Sequence, residues 1–148
     1  KYSIKSNNLV IVETGGMKGR KKEITRDELH ERLKQGFNAK SIHSEYGMTE
    51  LLSQAYSNKN GIFKSPSWLK VLARDINNPL SVKTTGKGAL NFIDLANVNS
   101  CSFIASDDIG EVYKDSSFSV LGRLSNSEIR GCNLAGASQV LRNDLQQW

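Results

Sequence analysis

Leu9, Val10, Ile11 and Val12 form a short unbroken apolar run, the pattern of a strand buried on both faces. It stops at Thr14-Gly15-Gly16, which reads as a flexible turn. From residue 24 the hydrophobic period lengthens to that of a helix. Thr25 can cap it, Glu28 three residues on completes a capping box, and Ile24 and Leu29 make a hydrophobic staple. Leu29, Leu33 and Phe37 continue one apolar stripe, with Gly36 as the expected C-terminal stop. Residues 39–46 read as a second strand, and a short helix is expected over residues 50–56.

Strand, helix and strand in this order make a βαβ unit, whose crossover sets the two strands parallel. Ligands of open parallel sheets bind beyond the carboxyl ends of the strands. The Gly15-Gly16 turn and the turn at 46–50 are those two ends, so together they predict a nucleotide cradle. Beyond it the pattern changes. Residues 68–74, 89–94, 102–105, 111–113 and 117–121 are strand-like runs, separated by Gly86-Lys87-Gly88, Asp107-Asp108 and Asp115-Ser116. That punctuation predicts an antiparallel meander or small barrel. Leu134, Ala137, Leu141, Leu145 and Trp148 then recur at helical steps, as a helical tail would. The fold class expected is therefore α/β: a βαβ portion in residues 1–62, a β-rich subdomain in 63–123, and a hinge with a helical tail in 124–148.

Composition narrows the function. At 38% hydrophobic and 24% charged, the 148 residues are those of an ordinary globular chain, and no run approaches the ~18–20 apolar residues of a membrane span. The chain begins at Lys1 with no signal-peptide pattern and reads as a fragment of something longer. The formal charge of +5 is densest at Lys18, Arg20, Lys21 and Lys22, where few aromatics interleave, so a solvated loop is favoured over a nucleic-acid site. Cys101 and Cys132 lie far apart, and with His30 and His43 isolated they form no zinc-ligand spacing. Sparse cysteine suits a reducing cytoplasm.

Three spaced elements carry the chemistry. Tyr46-Gly47-Met48-Thr49-Glu50 matches a Tyr-Gly-x-Thr-Glu motif, Gly15-Gly16-Met17 precedes it after a strand, and Asp108-Ile109-Gly110 is followed by Gly122-Arg123. In this order they resemble the adenine loop, nucleotide motif and hinge elements of the adenylate-forming acyl ligases. More closely, with the ending Gly122-Arg123-Leu124-Ser125-Asn126-Ser127-Glu128-Ile129-Arg130-Gly131-Cys132, the chain resembles the acyl-protein synthetases of bacterial luminescence, the ligase component of a fatty acid reductase. Taken alone, each element has a plainer reading. The pentapeptide can be a turn with a helix cap, Gly15-Gly16 a strand exit, Asp107-Asp108 a hairpin turn, and Cys132 a small hydrophobe near a turn.

The resemblance implies an ATP- and magnesium-dependent ligase that activates a fatty acid and passes it to a cysteine, with an acyl reductase subunit as partner. Tyr46 would set a flat face against adenine, while Gly15, Gly16, Met17, Gly47 and Met48 bring the chain close to the nucleotide. Thr49 would donate to the α-phosphate, helped by the amides of a following helix. Glu50 would hold magnesium, Asp108 the ribose hydroxyls, and Arg123 positive charge at the hinge. Cys132 would be the acyl acceptor, its thiol acidified by Arg130 and a helix start. The departures are informative too. The superfamily's mobile carboxy-terminal domain with its catalytic lysine has no counterpart in residues 124–148, and Ser125 occupies a position that is commonly acidic. Two rivals stand beside this reading: a ligase for another acid with coenzyme A or a carrier protein as acceptor, and a non-catalytic module of the same fold.

Overall fold

The computed structural model describes residues 9–14 and 24–124. Within them lie two sheets and one helix. Strand β1 (Val12–Glu13), helix α1 (Arg26–Phe37), and strands β2 (His43–Tyr46) and β3 (Ala55–Ser57) make the first group, with sheet order β1-β2-β3. β1 and β2 pair in parallel, Val12 opposite His43, as the strand–helix–strand pattern predicts, whereas β3 returns antiparallel. The second sheet comprises β4 (Ile62–Phe63), β5 (Leu69–Arg74), β6 (Val82–Lys83), β7 (Gly86–Asp94), β8 (Phe103–Val112) and β9 (Phe118–Arg123). Its order is β4-β9-β8-β7-β5-β6, every pairing antiparallel. The described chain is thus mixed and sheet-rich, and no helix in it is long and apolar enough to cross a membrane.

Local signals fare well at the helix entry. Thr25, in extended backbone, accepts the amide of Glu28 at 3.2 Å, so the predicted cap forms. The Glu28 carboxylate turns instead to Arg32 at 2.5 Å, which completes an exposed i,i+4 pair. The exit is different from the one expected. Gly36 is inside the helix, and the stop is Asn38 in the left-handed region at φ 51°, a conformation asparagine tolerates. The buried residue on α1 is His30, not a member of the leucine stripe. Its Nε2 lies 3.4 Å from Glu13 Oε1 and 3.2 Å from Ser44 Oγ, so a polar knot ties the helix to both parallel strands. His30 is therefore not isolated.

The run 9–12 is not buried on both faces. Among the described residues β1 is an edge strand, and Val10 is 69% and Val12 45% exposed. The apolar core lies elsewhere, where Leu69, Val71 and Ala73 of β5 and Leu90 and Phe92 of β7 alternate inward to meet Phe63, Val112 and Phe118. The β3–β4 hairpin, turning at Asn60-Gly61 with both residues at positive φ, bridges the two sheets through Tyr56 and Lys64.

Two further expectations are corrected. No helix forms over 50–56: Thr49 and Glu50 make a turn and β3 follows, because the amides of Leu52 and Ser53 are taken by the carboxylate of Asp94 instead of by a helical ladder. Asp107-Asp108 does not separate two strands either. Both belong to β8, a single strand that sets Ser106, Asp107 and Asp108 opposite Leu90 alone, between the pairs Ala105–Asn91 and Ile109–Ala89. Read linearly, such a bulge imitates a turn. Gly86-Lys87-Gly88 likewise begins β7, while Asp115-Ser116 does form the predicted hairpin turn, with Ser116 at φ 66°.

Candidate functional site

β2 ends at Tyr46, and its register with Ala55 of β3 aims the tyrosine ring into the aromatic core. Phe92 stacks on that ring at 5.6 Å, Phe118 meets it edge-on at 5.4 Å, and Phe63 lies at 5.8 Å. The ring is thus committed to packing, which corrects the picture of a free face awaiting adenine. What Tyr46 presents is its hydroxyl, which donates to Asp108 Oδ2 at 2.6 Å. Burial, then the hydrogen bond to Asp108 and that residue's charge, push the phenol far above its ordinary range, so it remains a donor.

Asp108 sits on the β8 bulge, and the bulge is stapled. Ser106 Oγ donates to the Leu90 carbonyl at 2.8 Å and accepts the Asp108 amide at 3.2 Å, while Arg74 Nη2 donates to the Ser106 carbonyl at 3.0 Å. Across the strand pair Arg123 faces Asp108, Nε to Oδ1 at 3.7 Å, with the guanidinium largely in solvent. Nearby, Gly110 lies so close to β9 that a Cβ would overlap the Ser119 carbonyl, and its register partner Gly88 would overlap that of Arg74.

Between the 46–50 turn and the bulge lies a polar cleft of about 490 Å³. Gly47, Met48, Thr49 and Glu50 form one wall and Ile104, Ser106, Asp107, Asp108 and Arg123 the other. Of the residues singled out from sequence, the structure therefore brings together Gly47, Met48, Thr49, Glu50, Asp108 and Arg123, and joins Tyr46 to them through Asp108. Thr49 does not open a helix, so the helical amides expected to favour an anion there are absent from its surroundings. Gly15, Gly16, Met17 and Cys132 lie outside the described residues. Glu50 is exposed at the cleft, and among the described residues no cluster of three or more His, Cys, Asp or Glu could hold a metal by itself.

The 47–54 segment is gripped from behind by residues that sequence reading passed over. Asp94 Oδ2 accepts the amides of Leu52 at 3.0 Å and Ser53 at 2.9 Å, and Oδ1 accepts Ser53 Oγ at 2.7 Å and the Ala96 amide at 3.1 Å. Burial alone would raise this carboxyl, but the hydrogen bonds outweigh it and hold the group below its ordinary value. Asn97 Nδ2 donates to the Glu50 carbonyl at 2.8 Å. A signal for Asp94 was present: Leu90, Phe92 and Asp94 alternate on the buried face of β7, so a carboxylate stands where the pattern calls for an apolar residue. The same segment also borders a second, more apolar cleft of about 540 Å³ walled by Leu52, Tyr56, Pro66 and Trp68.

The groove at the end of β2 thus carries glycine, hydroxyl, carboxylate and guanidinium groups on its walls, in a mixed, sheet-rich chain. The family model described as acyl-protein synthetase, LuxE, matches residues 2–141, and the chain belongs to that family. No curated protein and no solved structure matches it.

Proposed function

We propose that this chain is the nucleotide-handling part of an ATP-dependent fatty acyl ligase that forms an acyl-adenylate and passes the acyl group to Cys132. In this reading the β1–α1–β2 unit is a portion of an adenylate-forming ligase domain, followed by the β-rich subdomain; the helical tail expected over 124–148 lies, past Leu124, outside the described residues. The observation that carries it is the convergence, in one cleft, of the Thr49-Glu50 turn with the Asp108–Arg123 pair.

The residues divide the work as follows. Asp108 gives Oδ2 to Tyr46, and its Oδ1, beside Arg123, accepts from ribose hydroxyls. Met48 and Ile104 offer the base an apolar wall in place of the tyrosine ring. Thr49 donates its hydroxyl to the α-phosphate, and Arg123 adds positive charge. A lone carboxylate such as Glu50 fits magnesium, which is commonly held by one or two carboxylates and the substrate's own phosphates; the ion would neutralise phosphate charge. The fatty carboxylate attacks the α-phosphorus, forming the acyl–phosphate bond as pyrophosphate leaves. The Cys132 thiolate then attacks the acyl carbonyl, forming a thioester and releasing AMP.

Incubating the natural full-length protein with ATP, magnesium and mixed fatty acids, followed by intact mass spectrometry, tests both steps. The expected product is a single acyl adduct on Cys132. In a Cys132→Ser protein the adduct disappears while acid-dependent pyrophosphate exchange persists. Lack of exchange with any acid would sink the adenylation reading; exchange with acyl transfer only to coenzyme A would sink the cysteine step.

A further inference from the structure

We propose that Asp94 and Asn97 are positioning residues for the cleft, holding the 47–54 segment so that Thr49 and Glu50 face Asp108. The inference rests on the nucleotide reading above. Thr49 and Glu50 lie in an exposed turn outside any helix or strand, closed by the Leu51 amide on the Met48 carbonyl at 3.1 Å. One such bond does not set where a turn points. The setting comes from three backbone groups within residues 50–53. The Glu50 carbonyl is held by Asn97, and the Leu52 and Ser53 amides are held by Asp94.

Both holders are themselves buried and tied to each other. Asp94 is 0% and Asn97 2% exposed, and the Asn97 amide donates to the Asp94 carbonyl at 3.1 Å, so the two side chains issue from one tight turn at the end of β7. A buried carboxylate is costly unless its acceptor sites are filled, and here the segment fills most of them. Trp68 extends the network by donating Nε1 to Ser53 Oγ at 3.0 Å. An apolar residue at position 94 would satisfy the sheet and leave the turn unaimed. A fully satisfied polar network at this place is the support that a phosphate-handling turn requires.

The test separates aiming from mere stability. MgATP binding by calorimetry without acid, and pyrophosphate exchange, are measured on the natural full-length protein and on its Asn97→Ala, Ser53→Ala and Asp94→Asn variants. A misaimed turn raises the dissociation constant and the half-saturation for MgATP, by about tenfold or more, as losses of supporting hydrogen bonds commonly do. Partial unfolding lowers only the amplitude. Raised constants in Asn97→Ala, with a cooperative melt retained, are the expected result, and Asn97→Ala decides the matter if Asp94→Asn does not fold. Unchanged constants with reduced amplitude overturn the positioning role while leaving the nucleotide site intact. No MgATP binding by the unaltered protein overturns the nucleotide reading and this inference with it.

Discussion

The Tyr46 hydroxyl and the Asp108 carboxylate, 62 residues apart in sequence, meet at 2.6 Å and join the end of β2 to the bulge of β8. This bond is the physical link between the two groups of motif residues. Tyr46→Phe keeps the ring among its phenylalanines and removes the donor, at an expected cost of about 1.5–3 kcal/mol for a hydrogen bond to a charged group. A double-mutant cycle with Asp108→Asn, read by urea unfolding, is expected to show a coupling of about 0.5–3 kcal/mol. Additive effects would mean that the two residues do not act as a pair.

Asp94 makes stability depend on acidity in a definite direction. Its carboxyl is held below the ordinary value of 3.8, so the native state favours the ionised form. The resulting stabilisation is fully present above the unfolded-state pKa and is lost as pH falls through the lower folded-state value. Asp94→Asn is expected to cost about 1.5–3 kcal/mol or more at neutral pH. The gap from the unaltered protein stays constant down to roughly pH 5 and narrows below roughly pH 4. Denaturant unfolding at a series of pH values measures it, and a gap that widens in acid would contradict the assignment.

At Gly110 the constraint is contact between strands. An added methyl would overlap the Ser119 carbonyl and press on Leu90, whose side-chain carbon is 2.9 Å away. Gly110→Ala is expected to lose about 1–3 kcal/mol, the usual penalty for overpacking. Gly122→Ala, with nothing within 4 Å of the new carbon, is expected to be close to neutral. Thermal melts of the two variants make the comparison.

The helix exit offers a test with opposite signs. Gly36 has a helical backbone and open space where a Cβ would go, so Gly36→Ala is expected to stabilise by about 0.5–1 kcal/mol. Asn38→Ala removes the short polar side chain that makes the left-handed region tolerable and is expected to destabilise by up to about 1 kcal/mol. If Gly36→Ala destabilised instead, Gly36 would be the stop after all.

Much of this was legible in the chain because it depends on neighbours within a few residues. The Thr25 cap, the strand–helix–strand order that sets β1 parallel to β2, the existence of strands β5 and β7, and the Asp115-Ser116 turn all follow from such signals. So does the ordered set of motifs that points to the acyl-protein synthetases. Errors fell where a distant group outbid a local preference. Thr49-Glu50 had the look of a helix start until the Asp94 carboxylate took the amides that a helix would have used. Tyr46 looked like a platform for a base until three phenylalanines from other strands closed on its ring.

By itself, then, the sequence determined the family, the helix entry and strands β5, β7 and β9, since periodicity, caps and turns act over a few bonds of chain. Only the tertiary structure decided where the β8 bulge sits, which way Tyr46 points, and that Asp94 and Asn97 hold the 47–54 segment. Those outcomes rest on hydrogen bonds and packing between residues tens of positions apart. Such contacts exist only once the sheets have formed and the polar groups they bury must find partners.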